Sequence, residues 1–279
     1  MSGVVMPNED ELDFVITRDV DASIRKTVAP HLYVDPSDPY IDATSKMGHD
    51  FVGDQRYVWT KSGIAVNSGN SGFNNMPTFD INTAVDATTS ANRESDITVS
   101  DLEMCHDYTV FVLVSLKSSA LTAINTTSGK TFFVLSAWDG ANSQISFHCY
   151  RTGSTRYWFL TPQSGVSGNE LLVSWTTYPS VVPTADVPFV MAWSYKRSTT
   201  TSAFYFNDGT TPIATKSNHS AHYTGSTARW FIGNTVPANT NSGWCGSIAK
   251  VFIHDDTVSP ISAADRIGII NDWKTAAGI

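Results

Sequence analysis

The sequence has no cluster of basic residues and no long apolar run. Its 18 Lys and Arg residues are set against 26 Asp and Glu residues, so its formal net charge is -8. Because a polyphosphate partner requires clustered positive charge, we expect no nucleic-acid binding. No apolar run approaches the roughly 20 residues that span a bilayer, and the opening stretch MSGVVMPNEDELDF lacks the basic and apolar parts of a signal peptide. We therefore expect synthesis in a cytoplasm and no membrane insertion.

Cysteines and catalytic motifs are also scarce. Cys105, Cys149 and Cys245 are widely spaced, which predicts reduced, mostly buried thiols and no disulfide framework. The sequence contains neither a G-x-S-x-G nucleophile elbow nor a His-Glu-x-x-His zinc motif. Retaining glycosidases need two neighbouring carboxylates, but the glutamates here lie in the N-terminal segment or stand alone: Glu9, Glu11, Glu94, Glu103 and Glu170. These absences predict that the protein is not an enzyme.

Two Cys–His pairs are the residues that most resemble zinc ligands, namely Cys105 with His106 and His148 with Cys149. Neighbours on a strand point to opposite faces, so we expect each Cys to face inward and each His outward, without a shared ion. Aspartates beside turns would suit calcium, but Asn-Asp-Gly is also an ordinary hairpin turn, which we favour. These aspartates are Asp139, Asp208, Asp255 and Asp256. We predict no metal or cofactor, with calcium as the open alternative.

Short apolar runs separated by turn residues dominate the chain after residue 55. Runs such as YTVFVLVSL are apolar at nearly every position, which indicates central strands covered on both faces. In SIAKVFIH, alternation predicts that Ala249, Val251 and Ile253 face a core while Lys250 and His254 face outward. Eleven such strands predict an all-β sandwich or barrel. They are RYVWT, MPTFDI, YTVFVLVSL, TFFVLSAW, QISFHCY, TRYWFL, ELLVSW, PFVMAWSY, SAFYF, RWFIG and SIAKVFIH.

The two ends of the chain differ from this pattern. At the C-terminus, Ser259 as N-cap, Pro260 in the first turn and Gly278 as the stop predict a helix that covers the edge of the sandwich. Its apolar stripe comprises Ile267, Ile270 and Trp273. At the N-terminus, we expect residues 1–34 to form an arm for assembly or anchoring, either helical or extended. The prolines of VDPSDPY mark the predicted start of a domain over residues 35–279. The arm's apolar positions are Leu12, Ile16, Val20 and Ile24.

Eight tryptophans suggest a sugar site, because an aromatic ring can cover the apolar face of a pyranose while Asn and Asp bind its hydroxyls. Trp175, Trp193 and Trp230 lie inside strand runs and are expected in the core, where aromatic residues are common. Two other tryptophans lie at turns and, with nearby polar residues, form the candidate glycan-binding set. The set comprises Trp138, Asp139, Asn207, Asp208 and Trp244.

The order of several segments resembles the concanavalin A-like, laminin-G-like jelly-roll superfamily. Three stretches look like strands and a closing helix of that superfamily. They are YTVFVLVSLKSS, VPFVMAWSYKRSTTTSAFYFNDGTTPI and the stretch that runs from ARWFIG to IINDW. GFNNMPTFDINT resembles a stretch in laminin-G-like modules of bacteriophage structural proteins, although Ile81 and Asn82 depart from its usual glycine. The resemblance covers roughly residues 55–279 and implies a two-sheet antiparallel jelly-roll sandwich with a short C-terminal helix and an N-terminal arm.

The resemblance also implies a function. We expect a bacteriophage virion surface protein, as a head-decoration, head-fibre or tail-associated subunit, made in the host cytoplasm. Its partners would be capsid or tail subunits and further copies of itself, as in a trimer, and its lectin-like sandwich would bind cell-surface glycans weakly. The alternatives are a lectin module outside a virion, and a polysaccharide hydrolase or lyase using dispersed residues such as His148, Arg151 and Arg156.

Overall fold

The structure is a computed structural model that describes residues 30–37, 41–49, 56–59, 64–81, 97–103, 105–138, 143–225, 227–233 and 243–279. Within these residues the chain forms sixteen strands and two α-helices. The strands are β1 (Pro30–Val34), β2 (Met47–His49), β3 (Arg56–Trp59), β4 (Ile64–Asn70), β5 (Met76–Ile81), β6 (Ile97–Glu103), β7 (Asp107–Leu116), β8 (Thr131–Trp138), β9 (Ser143–Thr152), β10 (Thr155–Thr161), β11 (Leu171–Ser174), β12 (Phe189–Lys196), β13 (Thr201–Phe206), β14 (Ala214–Lys216), β15 (Thr227–Ile232) and β16 (Gly246–Asp255). The helices are α1 (Ser118–Thr126) and α2 (Ala263–Ala277).

The strands form two antiparallel sheets of eight strands each. The first sheet has the order β14-β13-β12-β7-β16-β5-β4, with β1 also paired to β16. The second has the order β11-β10-β9-β8-β15-β6-β3-β2. All eleven strands predicted from the apolar runs are present, and the predicted all-β sandwich is confirmed.

The main core lies between the two sheets and is rich in aromatic side chains. Trp175, Trp193 and Trp230 are buried there, as predicted. Phe147 of the second sheet meets Trp193 of the first edge to face, with ring centroids 6.2 Å apart. Within the described residues these side chains fill the space between the sheets, which leaves the outer faces and the loops as surfaces for a ligand.

A second core covers the outer face of the first sheet, where α2 packs on β7, β12 and β16. Trp273 of α2 lies edge to face with Phe111 of β7 at 6.3 Å, and Ile269 and Ile270 are buried beside it. The helix was expected at the edge of the sandwich, but it lies on this face, because β7 and β12 present apolar side chains on both sides. With α2 on one face and the second sheet on the other, β7 and β12 are covered on both faces, as their apolar sequences predict.

The predicted start of α2 is wrong by one turn, and its end is correct. Ser262, not Ser259, is the N-cap: its hydroxyl accepts a hydrogen bond from the Asp265 amide at 3.0 Å and donates to the Asp265 carboxylate at 2.6 Å. The Ser262 hydroxyl thus satisfies a free amide of the first turn, as an N-cap side chain does, and Ser259 makes no such bond among the described contacts. Gly278 ends the helix with φ of 75°, as the sequence predicts.

A bulge in β16 corrects the predicted alternation there. The register of β16 against β7 shifts between Ile248 and Lys250, so Ala249 joins the core under α2, while Val251 and Ile253 face the core between the sheets as predicted. Lys250 points to the outer face but is buried, with its ammonium 3.4 Å from Asp35. The outer face of this strand is therefore covered by other parts of the chain.

The N-terminal strand belongs to the first sheet. β1 pairs with β16, and its Leu32 and Val34 are buried between the sheets. Residues 30–34, which the sequence analysis placed in the arm, are thus part of the sandwich, and the prolines after them follow a strand instead of preceding a domain. The arm positions Leu12, Ile16, Val20 and Ile24 lie outside the described residues.

Helix α1 was not predicted from the sequence. It connects β7 of the first sheet to β8 of the second and buries Ala120 and Ile124, which are four residues apart and share one face. Neither helix in the described ranges has the length and apolar character needed to cross a bilayer.

Candidate functional site

Trp244, one of the two tryptophans proposed for sugar stacking, is a core residue. Its side chain is fully buried, and its indole N–H donates to the Ser115 carbonyl of β7 at 3.1 Å. The flanking glycines led us to expect an exposed turn, but Gly246 instead allows close approach, since a Cβ there would lie 1.9 Å from the Ser115 oxygen. Trp244 is therefore corrected from a ligand-stacking residue to a structural one.

The other candidate glycan residues do not form one group. Asn207 and Asp208 belong to the turn after β13 of the first sheet, where Asn207 accepts from the Val190 amide at 2.7 Å and Asp208 from the Thr210 amide at 2.8 Å. Trp138 ends β8 of the second sheet, is half-buried and lies edge to face with Phe231 at 6.4 Å. Asp139 lies outside the described residues.

A pocket of about 230 Å³ lies instead on the outer face of the second sheet. Its floor is formed by β8, β9 and β10, and its wall by the loop that follows β10. The lining residues are Phe133, Ser146, His148, Phe159, Thr161, Gln163, Ser164, Gly165 and Glu170.

Three rings form a row across this floor. His148 of β9 is the direct cross-strand partner of Phe133 on β8 and of Phe159 on β10. Side chains at paired positions of neighbouring strands point to the same face, so the imidazole lies between the two phenyl rings. Its centroid is 4.3 Å from that of Phe133 and 4.4 Å from that of Phe159. The pocket thus has an aromatic floor that includes a nitrogen heterocycle.

Hydroxyl groups form the next row along the same strands. Ser146 lies two residues before His148 on β9 and pairs with Thr161 of β10. The Ser146 hydroxyl is 2.7 Å from that of Ser164 in the wall, and the Thr161 hydroxyl donates to the Gln163 carbonyl at 2.7 Å. These bonds attach the wall to the sheet.

Asn169 holds the wall from behind. It is fully buried, and its amide nitrogen donates to the Gln163 carbonyl at 3.2 Å and the Ala221 carbonyl at 2.8 Å. Its own backbone carbonyl lies 2.7 Å from the Nδ1 of His219. The wall of the pocket is therefore preorganised by a buried polar network, which lowers the conformational cost of binding a ligand.

His148 is neutral at physiological pH. Burial disfavours the charged imidazole and lowers the pKa of His148 to about 3. Its Nδ1 atom is buried and has no hydrogen-bond partner among the described residues. A buried polar atom without a partner is unusual and calls for an explanation, and this one belongs to a residue that lines the pocket.

The lining contains one charged residue. Glu170 is the single carboxylate among the nine lining residues, and none of them is Lys or Arg. Acidic sugars are usually held by guanidinium groups that bind the carboxylate with two bonds, and retaining hydrolysis uses two carboxyl groups about 5–5.5 Å apart. The lining has neither arrangement, and its chemistry suits a neutral, polyhydroxylated ligand.

The residues that would support a hydrolase or lyase are separated in the structure. Arg151 donates to the carbonyls of Ile124 and Asn125 in α1. Arg156 donates to the Asn125 side chain, and its guanidinium lies 5.7 Å from the ring of Trp175. The two arginines therefore tie α1 to the sheet, and they do not join His148 in the pocket.

The Cys–His pairs follow the predicted alternation. Cys149 is buried in the core and His148 points outward, while Cys105 packs against the core and His106 is exposed. The first pair lies in the connection before β7 and the second lies in β9, so the two do not share a strand. Of the turn aspartates, Asp208 caps its own turn, and Asp256 is buried and hydrogen-bonded to the Thr109 hydroxyl at 2.7 Å, His254 Nδ1 at 2.7 Å and the Ile261 amide at 3.0 Å.

The pocket residues were missed because their relation depends on strand register. The sequence does show Ser146, His148 and Tyr150 alternating with the buried Phe147 and Cys149 along β9. This alternation indicates an outer face with polar and aromatic side chains. It does not show which residues of β8 and β10 stand beside them.

No protein-family model matches the chain, and no curated protein matches it in sequence. Several solved structures are similar in fold. Trypanosoma rangeli sialidase in complex with sialic acid matches with a TM-score of 0.56 and 8% identity, over 91% of this chain and 34% of the sialidase chain. The receptor-binding domain of botulinum neurotoxin type G matches with a TM-score of 0.53 and 10% identity, over 87% of this chain and 51% of that chain. A mutant of HCR/D matches with a TM-score of 0.58 and 12% identity, again over 87% and 51%.

The chain has a concanavalin A-like jelly-roll sandwich fold. It spans about a third to a half of the solved chains named above. At these identities the likeness concerns the fold alone, because one fold carries many functions. A sialidase is an enzyme, and the toxin domain binds a receptor, so the fold does not decide between hydrolysis and binding.

Proposed function

We propose that this protein is a lectin-like glycan-binding sandwich whose site is the pocket on the outer face of the second sheet. The observation that supports this most is the position of His148, neutral and stacked between Phe133 and Phe159, with Nδ1 unpartnered. This arrangement offers both an apolar ring surface and a hydrogen-bonding atom. A pyranose ring presents the matching combination of an apolar face and hydroxyl groups.

The pocket suits a single neutral sugar residue. Its volume of about 230 Å³ is smaller than the about 300–1,000 Å³ of sites for drug-sized ligands. The sugar would lie against the Phe159 edge of the aromatic row, with its hydroxyls toward Ser146, Thr161 and the His148 nitrogen. Glu170 would accept a hydrogen bond from a further hydroxyl. Binding in so small a site is weak, and several copies on one particle would raise the avidity.

Binding is favoured over hydrolysis by the lining of the pocket. Glu170 is its one carboxylate and it contains no tyrosine, whereas glycosidases use a second carboxylate or, in sialidases, a tyrosine as nucleophile. His148 is a poor general base, since a group with a pKa near 3 accepts a proton only weakly at neutral pH. These features support recognition as the role of the site.

A glycan array tests this proposal. Labelled wild-type protein, Phe159→Ala and Trp138→Ala are applied to an array of neutral and acidic glycans. We expect wild type and Trp138→Ala to bind the same neutral glycans and Phe159→Ala to lose them. Loss with Trp138→Ala but not with Phe159→Ala would place the site at the turn after β8, and absence of binding by wild type would refute the proposal.

We also propose that the sandwich is displayed on a bacteriophage particle, as a head-decoration, head-fibre or tail-associated subunit. The support is the resemblance of GFNNMPTFDINT to phage laminin-G-like modules. Part of that stretch forms the tight connection from β4 to β5, where Asn74 and Asn75 have positive φ of 53° and 63°. Residues 1–29 would then contact capsid or tail subunits or build a homo-oligomer such as a trimer.

Light scattering tests the assembly part of this proposal. Full-length protein is compared with a chain that begins at Ala29, which retains β1; a truncation at residue 34 would remove that strand from the sheet. We expect an oligomer that becomes a folded monomer on truncation. A full-length monomer that also fails to bind phage particles would contradict the virion role.

A further inference from the structure

Three side chains from separate parts of the chain converge where β7 begins and β16 ends. They are His31 of β1, Cys105 just before β7 and Asp255 at the end of β16. Their possible ligand atoms, an imidazole nitrogen, the thiol sulfur and a carboxylate oxygen, all lie within 4.8 Å of one another. All three residues are half-buried, so the cluster is accessible from solvent.

A bulge in β1 contributes His31 to this cluster. Pro30 pairs with His254 and Leu32 with Ile253, so His31 is the extra, bulged residue between them. A bulge changes the direction of a side chain relative to regular alternation and is common beside functional sites. Here it brings the imidazole to the same place as the Asp255 carboxylate.

We propose that His31, Cys105 and Asp255 bind one divalent transition-metal ion of the zinc type, with a water molecule as fourth ligand. Sulfur, nitrogen and oxygen donors together suit zinc, and three protein ligands leave one coordination position open. A thiolate and a carboxylate carry two negative charges, which the ion neutralises, so the filled site would carry no net charge in its half-buried position.

The geometry requires little rearrangement. With bond lengths of about 2.0–2.3 Å, the ligand atoms of a tetrahedral zinc lie about 3.4–3.6 Å apart. The atoms of the cluster lie within 4.8 Å, so closing them around an ion needs movements of about 1 Å, which side-chain rotation provides.

Backbone and hydroxyl contacts already hold two of the ligands in place. The Thr257 amide donates to the Asp255 carboxylate at 2.8 Å. The Thr257 hydroxyl accepts from the amides of His106 and Asp107 at 3.0 Å and 2.8 Å, which holds the segment after Cys105. Such outer contacts orient ligands and strengthen metal binding in known sites.

A cation at the cluster would favour the thiolate form of Cys105, because a coordinating thiol loses its proton. The ion would also join β1 to β7 and β16, at the point where residues 1–29 enter the sandwich.

Cobalt titration of the full-length protein tests the site. Protein is treated with a chelator, dialysed and titrated with Co²⁺, whose thiolate complexes absorb by charge transfer from sulfur to metal. We expect one equivalent to bind with a charge-transfer band, and Zn²⁺ to displace it. Cys105→Ser should remove the band, and His31→Asn and Asp255→Asn should weaken binding at least about tenfold.

His106→Asn is the matched control, because His106 adjoins Cys105 but lies outside the cluster; it should bind like wild type. Circular dichroism of each metal-free variant separates loss of folding from loss of a ligand. Thr257→Val keeps all three ligands and should weaken metal binding about tenfold, because it removes the hydroxyl that holds the segment after Cys105. Absence of stoichiometric binding by wild type, or a band that persists in folded Cys105→Ser, would overturn the proposal.

Discussion

The imidazole of His148 stacks on the ring of Phe159 with centroids 4.4 Å apart and an angle of 20° between the planes. The two residues are direct partners on β9 and β10, so the antiparallel register itself creates the stack. The same contact buries the imidazole and lowers its pKa. One strand pairing therefore accounts for both the aromatic floor and the neutral charge of the pocket.

The stability of the fold should depend on pH through His148. Its pKa is about 3 in the folded state and about 6.5 when unfolded. Between these values the unfolded state binds the proton and the folded state does not. The free energy of unfolding is therefore unaffected by this titration above about pH 6.5 and decreases as the pH falls from there toward 3.

His148→Phe keeps a ring in the stack and removes this titration. Urea unfolding at pH 7, 5.5 and 4.5 should show wild type losing on the order of a few kcal/mol more than the variant as pH falls. Parallel pH profiles for the two proteins would show that His148 titrates normally in the fold.

Trp244 should affect stability and not glycan binding. Trp244→Ala removes a fully buried ring and its bond to the Ser115 carbonyl, and we expect a loss of about 3–5 kcal/mol in the free energy of unfolding. Trp244→Phe fills most of the space and should cost about 1–2 kcal/mol. Chemical denaturation measures both values, and a loss below about 1 kcal/mol for Trp244→Ala would mean that this tryptophan is not part of the core.

Ser262 and Ser259 offer a matched pair for the cap of α2. Ser262→Ala removes the reciprocal bonds with Asp265 and should lower the free energy of unfolding by about 1 kcal/mol. Ser259→Ala should change it by less than about 0.5 kcal/mol, as at an ordinary loop position. Equal effects of the two substitutions in thermal unfolding would contradict the assigned helix start.

The sequence was sufficient to predict the strands that form the core. Long apolar runs such as YTVFVLVSL can only be buried, and all eleven predicted strands are present. Of the five strands that were missed, three are short or polar: β2 is MGH, β14 is ATK, and β4 reads IAVNSGN. Such strands are defined by their neighbours, since their own side chains do not require a sheet.

The candidate site could not be predicted from composition. Trp244 looked exposed between glycines, yet its hydrogen-bond partner Ser115 lies on a strand 129 residues earlier. His148 was singled out with other partners, and its grouping with Phe133 and Phe159 gave no local signal, because that grouping depends on the register of three strands. Register follows from the packing of the whole sheet.

The most direct test of the glycan site is the NMR signal of the His148 ring nitrogens as a neutral glycan from the array is added. His148 is the histidine that lines the pocket. We predict that its Nδ1 signal shifts on binding while those of His219 and His254, which already have hydrogen-bond partners, stay in place. A bound glycan that leaves the His148 signals unchanged would place the site elsewhere and contradict the account.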